Sequence, residues 1–109
     1  MVGSEEIFEK NEIKNVWVQI EERDQGTVTI TTGADTIFDV VDEDNTVVQA
    51  SAQASVSNNG TALVKLYGLV DTTAAEFVDG STYKVRFTAK IGAETYKAYR
   101  PMRVGEQRL

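Results

Sequence analysis

Period two dominates this chain, and its longest stretch is residues 81–104. Tyr83, Val85, Phe87, Ala89 and Ile91 alternate with Thr82, Lys84, Arg86, Thr88 and Lys90. That spacing gives an extended strand one dry and one wet face. Gly92-Ala93-Glu94 turns the chain and a second alternating run follows, so the segment reads as a hairpin. Pro101 has no N–H and marks an edge position or a bulge in the second strand.

Shorter runs of the same kind precede it. In residues 15–21, Val16, Val18 and Ile20 share a face, with Trp17 and Gln19 on the other. The single tryptophan then sits under the N-terminal segment or in an interface, unless the strand is buried on both faces. Residues 27–32 are a short β-branched strand with Val28 and Ile30 facing in. Residues 36–41 form the next strand, and Asp42-Glu43-Asp44-Asn45 turns the chain. In residues 46–57 the spacing puts Val48, Ala50, Ala52, Ala54 and Val56 on one face of one strand, and side chains this small suggest the close approach of another layer or subunit. Asn58-Asn59-Gly60 is a hairpin turn, because Asn-Gly readily takes positive φ. Residues 61–67 follow as a strand. Residues 68–80 are the longest connection, with one or two helical turns capped by Asp71. Residues 1–13 read as an N-terminal arm or short helix, residues 14–104 as the domain, and residues 105–109 as a C-terminal tail. The turn spacing predicts an all-β fold, an antiparallel β-sandwich of about seven strands.

Composition removes much chemistry. The chain has 109 residues, enough to bury a core without staples, and it has no cysteine and no histidine. Disulfides, zinc–thiolate sites, thiol nucleophiles and histidine-based catalysis are excluded. No apolar run is long enough to span a bilayer, and the acidic start lacks the apolar core of a secretory signal. The net charge of −6 counts against nucleic acid as a partner. Its distribution adds more: residues 1–50 carry −9 and residues 51–109 carry +3. Either these are ordinary solvated faces, or one surface of a subunit attracts a different surface of its neighbour, the heterologous contact that builds rings or stacks.

The remaining candidate chemistry is carboxylate-based. Asp39, Asp42, Glu43 and Asp44 are the densest acidic group. Residues 42–53 start like an EF-hand loop, but Val47 stands where glycine is needed and Gln53 where glutamate is needed. A looser calcium site would have to borrow Asp24, Asp71 or Asp79. Paired carboxylates for glycoside hydrolysis need an aromatic cleft, and most of the nine aromatics are wanted in the core. Asn59-Gly60-Thr61 matches a glycosylation pattern, which the turn explains better. No catalytic, cofactor or metal residues are assigned, and the chain is expected not to be an enzyme.

The basic positions are more informative. Lys84, Arg86 and Lys90 share one face of the long strand; Lys97, Tyr99 and Arg103 share one face of its partner. Where those faces coincide they make a basic, aromatic-tinged patch. It is either the wet face of a sheet, with lysines guarding edges, or a docking surface for the acidic half of a neighbouring copy. With Trp17, these six are the candidate interface residues. Only Tyr99 among the six offers a stacking platform, too little for single-stranded nucleic acid.

The ending D-G-S-T-Y-K-V-R-F-T-A-K-I-G-A-E-T-Y-K-A-Y-R-P-M-R-V resembles the last two strands of immunoglobulin-like modules. The runs D-V-V-D-E-D-N-T-V-V-Q-A-S-A and G-T-A-L-V-K-L-Y-G-L fit their middle strands. A short chain of this kind is similar to small structural proteins of tailed bacteriophages: head decoration, connector and tail components. That resemblance implies a non-enzymatic virion protein, located in the particle, that binds itself and neighbouring virion proteins, with no cofactor, nucleic acid or membrane. The alternative is a carbohydrate- or cell-surface-binding module using the loops around residues 42–45 and 68–80.

Overall fold

The computed structural model describes residues 5–21 and 28–105. They form eight strands: β1 (Glu6–Phe8), β2 (Ile13–Glu21), β3 (Ile37–Val41), β4 (Val47–Gln53), β5 (Ser55–Ser57), β6 (Leu63–Asp71), β7 (Thr82–Ile91) and β8 (Glu94–Val104). One sheet has five strands in the order β1-β8-β7-β3-β4 and the other has three in the order β2-β6-β5. All pairings are antiparallel except β1 with β8. The fold is an all-β sandwich.

The core follows from the alternation. Tyr83, Val85, Phe87 and Ala89 of β7 are buried, as are Met102 and Val104 of β8, Val16 and Val18 of β2, and Val64, Leu66 and Val70 of β6. Burying a valine, leucine or phenylalanine contributes about 1.5–3 kcal/mol, so β7 alone is a large part of the stabilisation. Phe38 of β3 stacks on Phe87 at 5.9 Å between centroids. Phe38 has room because Gly68 lies opposite it: a Cβ there would stand 2.6 Å from the ring. Glycine inside a strand often marks such an approach.

The β7–β8 hairpin pairs without interruption from Ile91↔Glu94 to Thr82↔Arg103. Its loop is Gly92-Ala93, with positive φ at Gly92 only, the type II′ arrangement; Glu94 already belongs to β8. Pro101 sits just above the point where β1 starts to cover β8, at Met102, so its missing N–H faces an open edge.

Several expectations need correction. The described residues form eight strands where about seven were expected, and the differences lie in where some of them fall. Residues 6–8, expected in an arm or short helix, are a strand of the larger sheet, because Phe8 is fully buried in the core and the β8 edge offers backbone partners. Gly105 extends that pairing, donating its N–H to Phe8 O at 2.8 Å; residues 106–109 of the expected tail lie outside the described residues. Residues 28–32 form no strand. They cross between the sheets through two isolated bridges, Val28↔Thr61 and Thr31↔Lys90. The Asn59 amide clamps Ile30 on both sides, accepting from its N–H at 2.7 Å and donating to its C=O at 3.0 Å. Val28 and Ile30 are buried as expected.

Residues 46–57 are not one strand. The chain changes sheets at Ala54, whose N–H bonds Thr36 O. Before that, β4 slips register against β3 twice, so its alternation fails and Ala50 and Ala52 are exposed. No close layer covers them among the described residues. The next turn spans residues 58–62, with positive φ at Asn58 and Gly60. The strand expected to end at Tyr67 continues through Gly68 to Asp71. No helix follows. Thr72 is drawn instead onto the 9–12 segment, its N–H bonding Glu12 O at 3.1 Å and its hydroxyl donating to the same oxygen at 2.7 Å.

Candidate functional site

Pairing of β7 with β8 decides whether the basic residues meet. Thr82 stands opposite Arg103, Lys84 opposite Pro101, Arg86 opposite Tyr99, Thr88 opposite Lys97 and Lys90 opposite Thr95. These positions alternate with the buried ones, so Lys84, Arg86, Lys90, Lys97, Tyr99 and Arg103 share the outer face of the five-stranded sheet. Trp17 does not join them. It projects from the outer face of the other sheet, 37% exposed. Its ring has Lys65 Nζ 4.6 Å and the Arg100 guanidinium 5.1 Å from its centroid.

The patch is less uniform than its residue types imply. Asp39 faces Arg86 across the β3–β7 ladder and accepts two hydrogen bonds from it, at 2.9 and 2.7 Å. The Asp39 hydrogen bonds raise the Arg86 pKa above its already high value, and the charge of the guanidinium is met by the carboxylate it binds. Arg103 Nε lies 3.6 Å from Glu5. Lys84 Nζ lies 5.7 Å from the Tyr99 ring centroid. No ion pair engages Lys84, Lys90 or Lys97 among the described residues. These three ammonium groups carry the unneutralised charge of the face. Edge protection does not account for Lys84 and Lys90, because β7 is the central strand. It fits only Lys97, on the stretch of β8 that β1 leaves uncovered.

Eight of the seventeen acidic residues collect at one end of the sandwich. Residues 9–12, the 42–46 turn and the 71–81 loop lie together, joined by the Thr72–Glu12 bonds and by Thr82 Oγ1 donating to Glu43 at 2.5 Å. They carry Glu9, Glu12, Asp42, Glu43, Asp44, Asp71, Glu76 and Asp79, with Lys10 the single basic residue. Lys10 is used internally, donating to Thr72 O and Ala74 O at 2.7 Å. A cleft of about 380 Å³ opens between the 42–44 turn and the 76–83 segment. Two carboxylates of this end, Asp42 and Asp71, are committed to nearby backbone N–H groups. Asp42 accepts from the N–H groups of Asp44 and Thr46, both at 2.9 Å. Asp71 accepts from the Thr73 hydroxyl and N–H, which lower its pKa. Among the described residues no three acidic side chains converge to hold a metal ion; Asp24 lies outside them.

Two polar devices at the flanks of the sandwich were not anticipated. Arg100 is buried, 6% exposed, and closes the flank between β1 and β2. It donates to Trp17 O at 2.8 Å and to Glu6 at 3.1 Å. Lys14 joins it there, 3.2 Å from Glu6 and 2.6 Å from Ile7 O. The signal was present in the phase of β8, which puts Arg100 with Ala98, Met102 and Val104. At the opposite flank the Gln49 amide stands in for a neighbouring strand. It donates to Leu69 O and accepts from the Asp71 N–H, both at 3.0 Å, where the short β5 no longer covers β6.

No protein-family model matches the chain, and no curated protein matches its sequence.

Proposed function

We propose that the chain is a non-enzymatic structural protein of a tailed-phage particle. It packs head-to-tail with copies of itself and against neighbouring virion proteins. One observation carries the packing: among the described residues Lys84, Lys90 and Lys97 stand without acidic partners on the outer face of a protein of net charge −6, while eight of its seventeen acidic side chains gather at one end. A face and an end of opposite sign complement each other between copies, and such a contact is heterologous. The particle assignment rests on the resemblance of the strand and turn pattern to small phage components. The strand order is in keeping with it: β2-β6-β5 and β8-β7-β3 follow the order of immunoglobulin-like sheets, with β4 as the added strand beside β3.

Light scattering after size-exclusion chromatography tests the packing. Oligomers are expected at about 50 mM salt and weaken at about 500 mM, where the screening length falls to a few ångströms. Replacing Lys84, Lys90 and Lys97 with glutamate is expected to abolish assembly and leave the circular dichroism spectrum unchanged. Arg86 is kept, because a glutamate there would face Asp39. A wild-type chain that stays monomeric at about 1 mM in low salt defeats the reading, and salt-independent binding on a glycan array would replace it with ligand recognition.

A further inference from the structure

The β3–β4 hairpin holds both a socket and the group that fits it. Between Phe38↔Ala52 and Val40↔Gln49 the β4 strand has one residue more than β3, so Ala50 and Ser51 both stand against Asp39, the two-against-one count of a β-bulge. Beside it is a notch of about 210 Å³ lined by Ile37, Asp39, Ser51, Arg86, Thr88 and Lys97. Asp39 and Arg86 neutralise each other through two hydrogen bonds. Lys97 is then left as the net charge, and the Ser51 and Thr88 hydroxyls add donors. This is a recess for one carboxylate.

The acidic end supplies one suited to it. Within the β3–β4 turn, Asp42 and Glu43 are held by their own chain. Asp44, at the exposed tip of the same hairpin, uses only its backbone N–H. Ser51 lies four residues into β4 from Val47, roughly 13 Å along the strand, and Asp44 is in the turn beyond the strand's start, so a subunit cannot fill its own notch. We propose that Asp44 of one copy seats in the Ser51–Lys97 notch of the next. Each subunit then presents a free knob and a free socket, and the contact propagates into a ring or stack. This rests on the head-to-tail packing proposed above and locates it.

Sedimentation velocity at low salt tests the contact by charge exchange. Lys97→Glu and Asp44→Lys are each expected to weaken self-association by about tenfold or more, and the double variant to recover most of the loss. Ser51→Trp fills the notch at unchanged net charge and is expected to weaken association by a similar factor. Thermal melts of each variant check the fold. Assembly that survives Ser51→Trp, with no recovery in the double variant, overturns the notch while leaving the charge-driven packing in place. A monomeric wild-type chain overturns both.

Discussion

Replacing Gly68 with alanine tests how closely the two sheets are packed. The new Cβ would lie 2.6 Å from Cδ2 and Cγ of Phe38 and 2.8 Å from Cε2, against an ordinary contact of at least 3.4 Å. The ring would have to retreat by roughly 0.8 Å, into a core where closely packed side chains leave no slack. Phe38 is 4% exposed and lies on Phe87, itself 1% exposed, so neither can swing into solvent. Overpacking of this kind costs about 1–3 kcal/mol. Gly68 is not in the positive-φ region, so alanine adds no backbone strain and gains about 0.5–1 kcal/mol of strand preference. The net expectation is a loss of about 1–2 kcal/mol, which lowers the melting temperature by about 5–12 °C in a domain of this size. Urea denaturation followed through Trp17, the single tryptophan, measures it. Phe38→Leu frees the space, so the double variant should lose at least about 1 kcal/mol less than the two single losses combined. A Gly68→Ala protein as stable as wild type, or a strictly additive pair, would refute the close approach.

Other consequences follow from the polar devices. Arg100→Met leaves Trp17 O without this donor and Glu6 with Lys14 as its remaining ion-pair partner; with Glu6 24% exposed the cost is reduced to about 2–3 kcal/mol by urea titration, and adding Glu6→Gln should return part of it. Asp39→Asn breaks a pair whose arginine side chain is 35% exposed, so only about 1 kcal/mol is expected after solvent screening. Asp71 has a lowered folded pKa, through the Thr73 hydroxyl first and its N–H second. Its contribution is therefore complete above the unfolded aspartate pKa and is lost as pH falls through the lower folded value. Thermal melts below about pH 4 should show this slope in wild type and lose it in Asp71→Asn.

What the sequence made legible depended on how firmly side chains specify register. The β7–β8 hairpin could be read in full, because large apolar and long polar residues alternate through ten unbroken pairs and a one-residue slip would bury lysine. In β4, Val-Val-Gln-Ala-Ser-Ala-Gln leaves the register open: alanine, serine and glutamine tolerate either face, so the two bulges and the change of sheet at Ala54 follow from neighbouring strands. The three residues of β1 are too few to show a period, and their partner lies more than ninety positions away. Residues 28–32 have a strand's composition, but Asn59 meets the Ile30 backbone where a ladder would. The basic face was legible because its members sit in phase on consecutive strands. Its partial neutralisation was not, because the Arg86–Asp39 pair exists only once β3 lies beside β7.

The same distinction reshapes the charge argument. In the sequence, acid and base separate into a first half at −9 and a second at +3. The fold does not keep those halves apart as surfaces. Asp71, Glu76 and Asp79 come from the second half yet join Asp42, Glu43 and Asp44 at the acidic end, because the 42–46 turn and the 71–81 loop close the same end of the sandwich. Asp39 comes from the acidic half yet lies within the basic face and cancels Arg86. The polarity that a second copy would meet runs from an end to a face, not from one half of the chain to the other. Substitutions that change net charge without touching the acidic end or Lys84, Lys90 and Lys97, such as Glu94→Lys beside the β7–β8 loop, should therefore leave assembly nearly unchanged, although they alter the overall charge as much as Lys97→Glu does.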